Sequence, residues 1–147
     1  MASVPDILDT SIFVHLIRDD ATGQRLKSEY NVLLTEIVPA YCLVTEGEVR
    51  SLAYQFNWGT DKAEKMRYLL EYFRRIAIDT PEVLEAYAVI DAYSKGRGIA
   101  MGKNDVWIAA AAHVSGFRLL TSDQDFDHLD GAFLARVFIE RQQDPVL

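Results

Sequence analysis

Short apolar runs alternate along this chain with longer stretches in which apolar residues recur every three or four positions, a pattern that predicts strands alternating with helices. The stretch 102–126 shows it most clearly. Val106, Ala109, Ala110 and Val114 recur at helical spacing, and Asn104 and Asp105 suit a first turn. Gly116 ends the helix, and Phe117 to Leu120 is an apolar run bounded by Thr121-Ser122-Asp123, the mark of a buried strand.

The rest of the chain follows the same rhythm. Asp6 to Phe13 predicts strand, turn and helix, with Asp9 at the strand's carboxyl end and Thr10 or Ser11 as the helix cap. After a polar stretch from Asp19 to Gly23, Gln24 to Leu34 predicts a packing helix with Leu26, Tyr30, Leu33 and Leu34 on one side. Ala40 to Leu43 predicts the second strand. Thr45 and Glu48 have capping-box spacing, ahead of a helix whose apolar face holds Val49, Leu52 and Ala53. A helix follows over Asp61 to Arg75 with Met66, Leu69, Leu70 and Phe73 as its stripe, then a brief strand over Ile76 to Ile78. Pro81 opens a helix that runs to Lys95, and a last strand is expected at Arg136 to Ile139. Trp58, in the loop Phe56 to Thr60, reads equally as core or as an exposed anchor.

Strands alternating with helices imply a three-layer α/β/α domain with a mostly parallel central sheet, and 147 residues are the size of one domain spanning 1–147. In such a sheet a helix start and the end of the following strand share an edge, so Asp105 and Asp123 meet there although they are distant in sequence. Asp9 and Glu48 also follow strands. Four carboxylates at one edge repel one another, and a hard divalent cation relieves the repulsion. With one cysteine and three histidines in the chain, a zinc site is disfavoured. His15, His113 and His128 fall in separate segments and make no catalytic pair.

A net charge of −7 argues against a broad basic face for nucleic acid, although acids gathered at a metal site weaken that objection. The lone Cys42 lies in an apolar run, which reads as a buried, inert thiol in a reducing compartment. The N-terminal segment lacks the basic and apolar regions of a signal peptide, and no apolar run is long enough for a membrane span. A cytoplasmic protein is expected.

The segments I-L-D-T-S at Ile7 to Ser11, V-T-E-G-E at Val44 to Glu48, N-D-V-W-I-A-A-A-A at Asn104 to Ala112 and L-L-T-S-D-Q-D-F at Leu119 to Phe126 together resemble a PIN domain, particularly the VapC-type toxin ribonucleases. The resemblance implies an α/β/α nuclease fold, Mg²⁺ or Mn²⁺ dependence, cleavage of RNA to 3′-hydroxyl and 5′-phosphate ends, a homodimer and a partner antitoxin. Carried over motif by motif, Asp9, Glu48, Asp105 and Asp123 are the metal-binding acids. Glu46 is the competing register for Glu48, and Asp125 belongs to the D-F turn with a reserve role as ligand. Thr121 is expected to hold water or phosphate, Ser11 stands where the family often has asparagine, and Lys103 is placed to meet a substrate phosphate. Two other readings compete: a PIN-like RNA-binding module without turnover, and a phosphoacceptor receiver domain, which needs an acidic pair near the first strand where this chain has only Asp9.

Overall fold

The structure, a computed structural model, describes residues 4–34 and 36–144. Five strands form one parallel sheet in the order β3-β2-β1-β4-β5, with β1 at Asp6–Leu8, β2 at Ala40–Cys42, β3 at Arg74–Ile76, β4 at Arg118–Thr121 and β5 at Arg136–Phe138. The helices are α1 (Thr10–Arg18), α2 (Ala21–Ser28), α3 (Leu43–Gln55), α4 (Thr60–Tyr72), α5 (Pro81–Gly96) and α6 (Lys103–Ser115), with a 3₁₀ turn at Gln124–Leu129.

Successive side chains of a strand point to opposite faces, and here that alternation sorts the core into two halves. Ile7, Cys42 and Leu119 pack with Val83, Ile90 and the inward side of α6. Leu8, Tyr41 and Leu120, their chain neighbours, pack on the other face with Ile12, Phe13, Leu16, Met66 and Leu69. The sheet is therefore covered on both sides, as its buried central residues require. Cys42 is fully buried, and burial pushes its thiol up to about 11, so it stays protonated and inert.

Connectivity sets where a site can form. The chain leaves β1, builds β2 and β3 on one side, then crosses back to lay β4 and β5 on the other. Adjacent strands whose connections depart in opposite directions leave a crevice at their carboxyl ends. That crevice lies between β1 and β4, which pair Leu8 with Leu120. The 3-2-1-4-5 order also removes the receiver-domain reading, because receiver-type sheets run 2-1-3-4-5.

Several local expectations are corrected. The cap of α1 is Asp9 itself, whose carboxylate accepts from the Thr10 N–H, rather than Thr10 or Ser11. The predicted helix Gln24–Leu34 instead begins at Ala21 and stops at Ser28. Asp20 caps it by accepting from the Gly23 N–H, and Val32, not Leu34, reaches the core. A Cβ on Gly23 would come within 2.1 Å of the His15 carbonyl oxygen, so only glycine permits this approach of α2 to α1.

Helix α3 starts at Leu43 without a side-chain cap, so Thr45 and Glu48 form no capping box. Thr45 is fully buried inside the helix instead. The predicted helix to Arg75 ends at Tyr72, and the following strand is Arg74–Ile76 rather than Ile76–Ile78. Its two arginines are exposed on an edge strand, where an apolar signature is not needed. Val114, expected on the core face of α6, is exposed, whereas Ile108 to Ala112 are buried on successive positions between the sheet and α5. Trp58 is partly buried against the second half of the core.

Candidate metal centre

The centre is built from the end of β1 outward. Asp9 follows Leu8, and its N–H continues the β1–β4 ladder by donating to the Leu120 carbonyl at 3.0 Å. Asp9 is only 3 % exposed. One oxygen accepts from the Thr10 N–H at 2.7 Å; the other accepts from Ser11 Oγ at 3.0 Å and Thr121 Oγ1 at 2.7 Å. Burial nevertheless pushes Asp9 up to about 6, against the pull of these donors and with help from the charge of Asp123.

Thr121 ends β4 and is fully buried. Its hydroxyl donates to Asp9 and accepts from the Asp123 N–H at 2.9 Å, so it fixes two acids at once and has no face toward substrate. Ser11 is used likewise: it donates to Asp9 and accepts from the Ser122 N–H at 3.3 Å. Both residues are positioning groups in this arrangement. Lys103 opens α6 at the surface, two positions before Asp105, with no ion pair to any described residue.

Asp105 lies in the first turn of α6, with its carboxylate facing those of Asp123 and Asp125. One oxygen from each of the three lies within 4.8 Å of the other two. Burial pushes Asp105 up to about 7, with contributions from the negative charges of Asp9, Asp123, Asp125 and Glu48. Asp125 is raised too, by burial and by Asp123. The reserve acid of the D-F turn thus stands inside the tight trio, while Asp9 and Glu48 stand beside it within electrostatic reach of Asp105.

Glu48 is tied to the same edge through Thr10, whose hydroxyl donates to it at 2.7 Å and lies 3.0 Å from the Thr45 hydroxyl. Glu46 faces elsewhere, pairing with Arg50 at 2.9 Å and Arg75 at 3.1 Å. From sequence Thr10 and Thr45 read only as caps, because a bond between residues 35 positions apart leaves no local signature. The histidines have structural partners: His15 with Asp20, His113 with the Phe133 carbonyl, and His128 with Ser94.

Elsewhere the chain neutralises its acids, as with Asp6 and Arg118, Asp19 and Lys27, and Asp91 and Lys95. None of Asp9, Glu48, Asp105, Asp123 and Asp125 forms an ion pair with a lysine, arginine or histidine among the described residues. An all-oxygen donor set with concentrated, uncompensated charge fits a hard divalent cation, and it lacks the cysteine and histidine ligands typical of a zinc site.

The model of the PIN domain family matches residues 7–132. No curated protein matches the chain. Among solved structures, the fold is similar to VapBC-5 of Mycobacterium tuberculosis, a member of the VapBC family of toxin-antitoxin systems, with 24 % identity over 95 % of this chain and 100 % of that one and a TM-score of 0.64. It is also similar to a toxin-antitoxin complex from Klebsiella pneumoniae, with 20 % identity over 93 % and 99 % of the two chains and a TM-score of 0.70. FitAcB from Neisseria gonorrhoeae shares 26 % identity over 88 % and 94 %, with a TM-score of 0.72. With the match extending from the first strand beyond the 3₁₀ turn, and so across every acid of the centre, the chain belongs to the PIN domain family.

Proposed function

We propose that this protein is a metal-dependent endoribonuclease, the toxin of a toxin–antitoxin pair, acting in the cytoplasm as a homodimer. The observation that carries the catalytic part is the trio Asp105, Asp123 and Asp125 at the β1–β4 crevice, with Asp9 and Glu48 within electrostatic reach and no cationic partner for any of the five among the described residues. Family membership and the likeness to solved toxin–antitoxin complexes support the toxin role and a protein antitoxin as partner. No helix among the described residues is long and apolar enough to cross a membrane.

Asp9, Glu48, Asp105, Asp123 and Asp125 are the residues that would hold Mg²⁺ or Mn²⁺. The bound cation supplies an activated water and neutralises charge on the scissile phosphate. Thr121, Ser11 and Thr10 keep the acids in register through the bonds described above. Lys103 offers a positive charge to a phosphate approaching over the start of α6. The sheet edge supplies a rigid frame, because Asp9 and Thr121 continue paired strands rather than a loop.

The test is cleavage of a mixed RNA pool by wild type with Mg²⁺, by wild type with EDTA, and by Asp105→Asn with Mg²⁺. Cutting only in the first case is expected. Cutting in EDTA, or undiminished cutting by a properly folded Asp105→Asn protein, would reject the mechanism. No cutting by wild type with Mg²⁺ would favour a PIN-like module that binds RNA without turnover.

A further inference from the structure

Beside the carboxylates, α3 and the start of α6 border an open cleft of about 550 Å³. One wall runs from Glu48 through Leu52 to Gln55, residues at i, i+4 and i+7 on one face of α3, so the cleft extends ~10 Å along the helix away from the acidic centre. Asn104, next in sequence to Asp105, lies on the opposite side. Gly47 shares the wall, and a Cβ built there meets no atom within 4 Å. Its missing side chain leaves the space open.

The lining determines what fits. No lysine or arginine borders this cleft, so it lacks the charge that holds a phosphate. Val44 and Leu52 offer apolar surface, while Ser51, Gln55 and Asn104 offer neutral donors and acceptors. The Gln55 amide is oriented, because its Nε2 donates to Ser51 Oγ at 2.8 Å. Its carbonyl oxygen and second N–H have no partner among the described residues. A flat ring with apolar faces and a hydrogen-bonding edge satisfies both kinds of surface, and a nucleobase of single-stranded RNA has that form.

We propose that this cleft is a nucleobase subsite, in which the base adjoining the scissile phosphate lies against Val44 and Leu52 while Gln55 and Asn104 read its edge. The proposal rests on the ribonuclease reading and adds to it the residues that choose where the strand is cut. It explains how a chain with net charge −7 engages RNA at this point: recognition here uses base edges, with the phosphate charge met at the adjacent metal centre.

The test compares wild type, Gln55→Ala and Gly47→Leu. The last replaces a helix-interior glycine in open space with a better helix former, so loss of fold does not confuse the result. Product ends from a randomised RNA pool cut with Mg²⁺ are sequenced, and binding of fluorescent A, C, G and U oligoribonucleotides is measured by anisotropy with Ca²⁺ in place of Mg²⁺, so that a cation still neutralises the acids. Wild type should show a dominant base beside the cut and a matching order of affinities. Gln55→Ala should reduce that preference by about tenfold, the scale of one well-formed base contact, and Gly47→Leu should flatten it. Retention of the wild-type preference and affinity order by both variants would overturn the subsite while leaving the nuclease intact, as would cutting by wild type without base preference. Failure of wild type to cut any RNA with Mg²⁺ would overturn the ribonuclease reading and the subsite together.

Discussion

Thr121 and Asp9 are 112 positions apart in sequence, yet a buried hydrogen bond of 2.7 Å joins them. The same threonine oxygen accepts from the Asp123 N–H, so one side chain holds two acids from different strands in register. Replacing it with valine preserves the volume but removes both bonds. Thr121→Val is expected to lose ~1–3 kcal/mol of stability, the cost of stranding buried polar groups. It should also weaken Mg²⁺ binding by about tenfold, as loss of a group that orients ligands does. Urea unfolding and calorimetric metal titration measure the two effects; a variant with wild-type metal affinity would show that this bond does not set the geometry.

The raised acids predict an unusual pH dependence without metal. Asp9 is held at about 6 and Asp105 at about 7, both above their unfolded value, so the native state binds more protons than the unfolded chain between about pH 4 and 7. Their contribution to stability is therefore most favourable below that window and is lost as pH rises through it. In EDTA, the melting temperature should fall between pH 5.5 and pH 8 through this contribution. Asp105→Asn should raise it at pH 8, while Mg²⁺ should stabilise wild type more at pH 8 than at pH 5.5. A lower melting temperature for Asp105→Asn in EDTA at pH 8 would contradict the electrostatic account.

Glu46 and Glu48 should separate cleanly. Glu46 is engaged with Arg50 and Arg75 at the surface, and Glu46→Gln should cost under about 1 kcal/mol with metal affinity unchanged. Glu48 shares the hydroxyl of Thr10 with the edge that carries Asp9, and Glu48→Gln should weaken Mg²⁺ binding by about tenfold. Equal effects of the two variants in a calorimetric titration would show that α3 presents its acids differently.

Much of the arrangement was legible because it follows from strand ends. Asp9, Asp105 and Asp123 could be placed at one edge once the parallel alternation was recognised, since a strand's last residue and a helix's first turn have fixed positions in such a sheet. What escaped was set by contacts rather than by periodicity. Leu43 and Val44 continue the apolar run of β2, so their turn into a helix has no hydrophobic mark, and the capping-box reading of Thr45 and Glu48 started that helix too late. Arg74 and Arg75 look helical on their surroundings but belong to the outer strand. Asp125 reads locally as part of a turn, and only the packing of the 3₁₀ segment against α6 brings it to Asp105.

Those outer arginines have a further effect. Both margins of the sheet begin with a cationic residue, Arg74 on β3 and Arg136 on β5, and Arg75 adds a second on the first margin. Arg75 and Arg136 are neutralised by Glu46 and Asp127, but Arg74 has no ion pair among the described residues, so a second copy aligned along the β3 margin meets its charge before backbone groups can pair. Edge-to-edge pairing of copies along that margin is thereby discouraged.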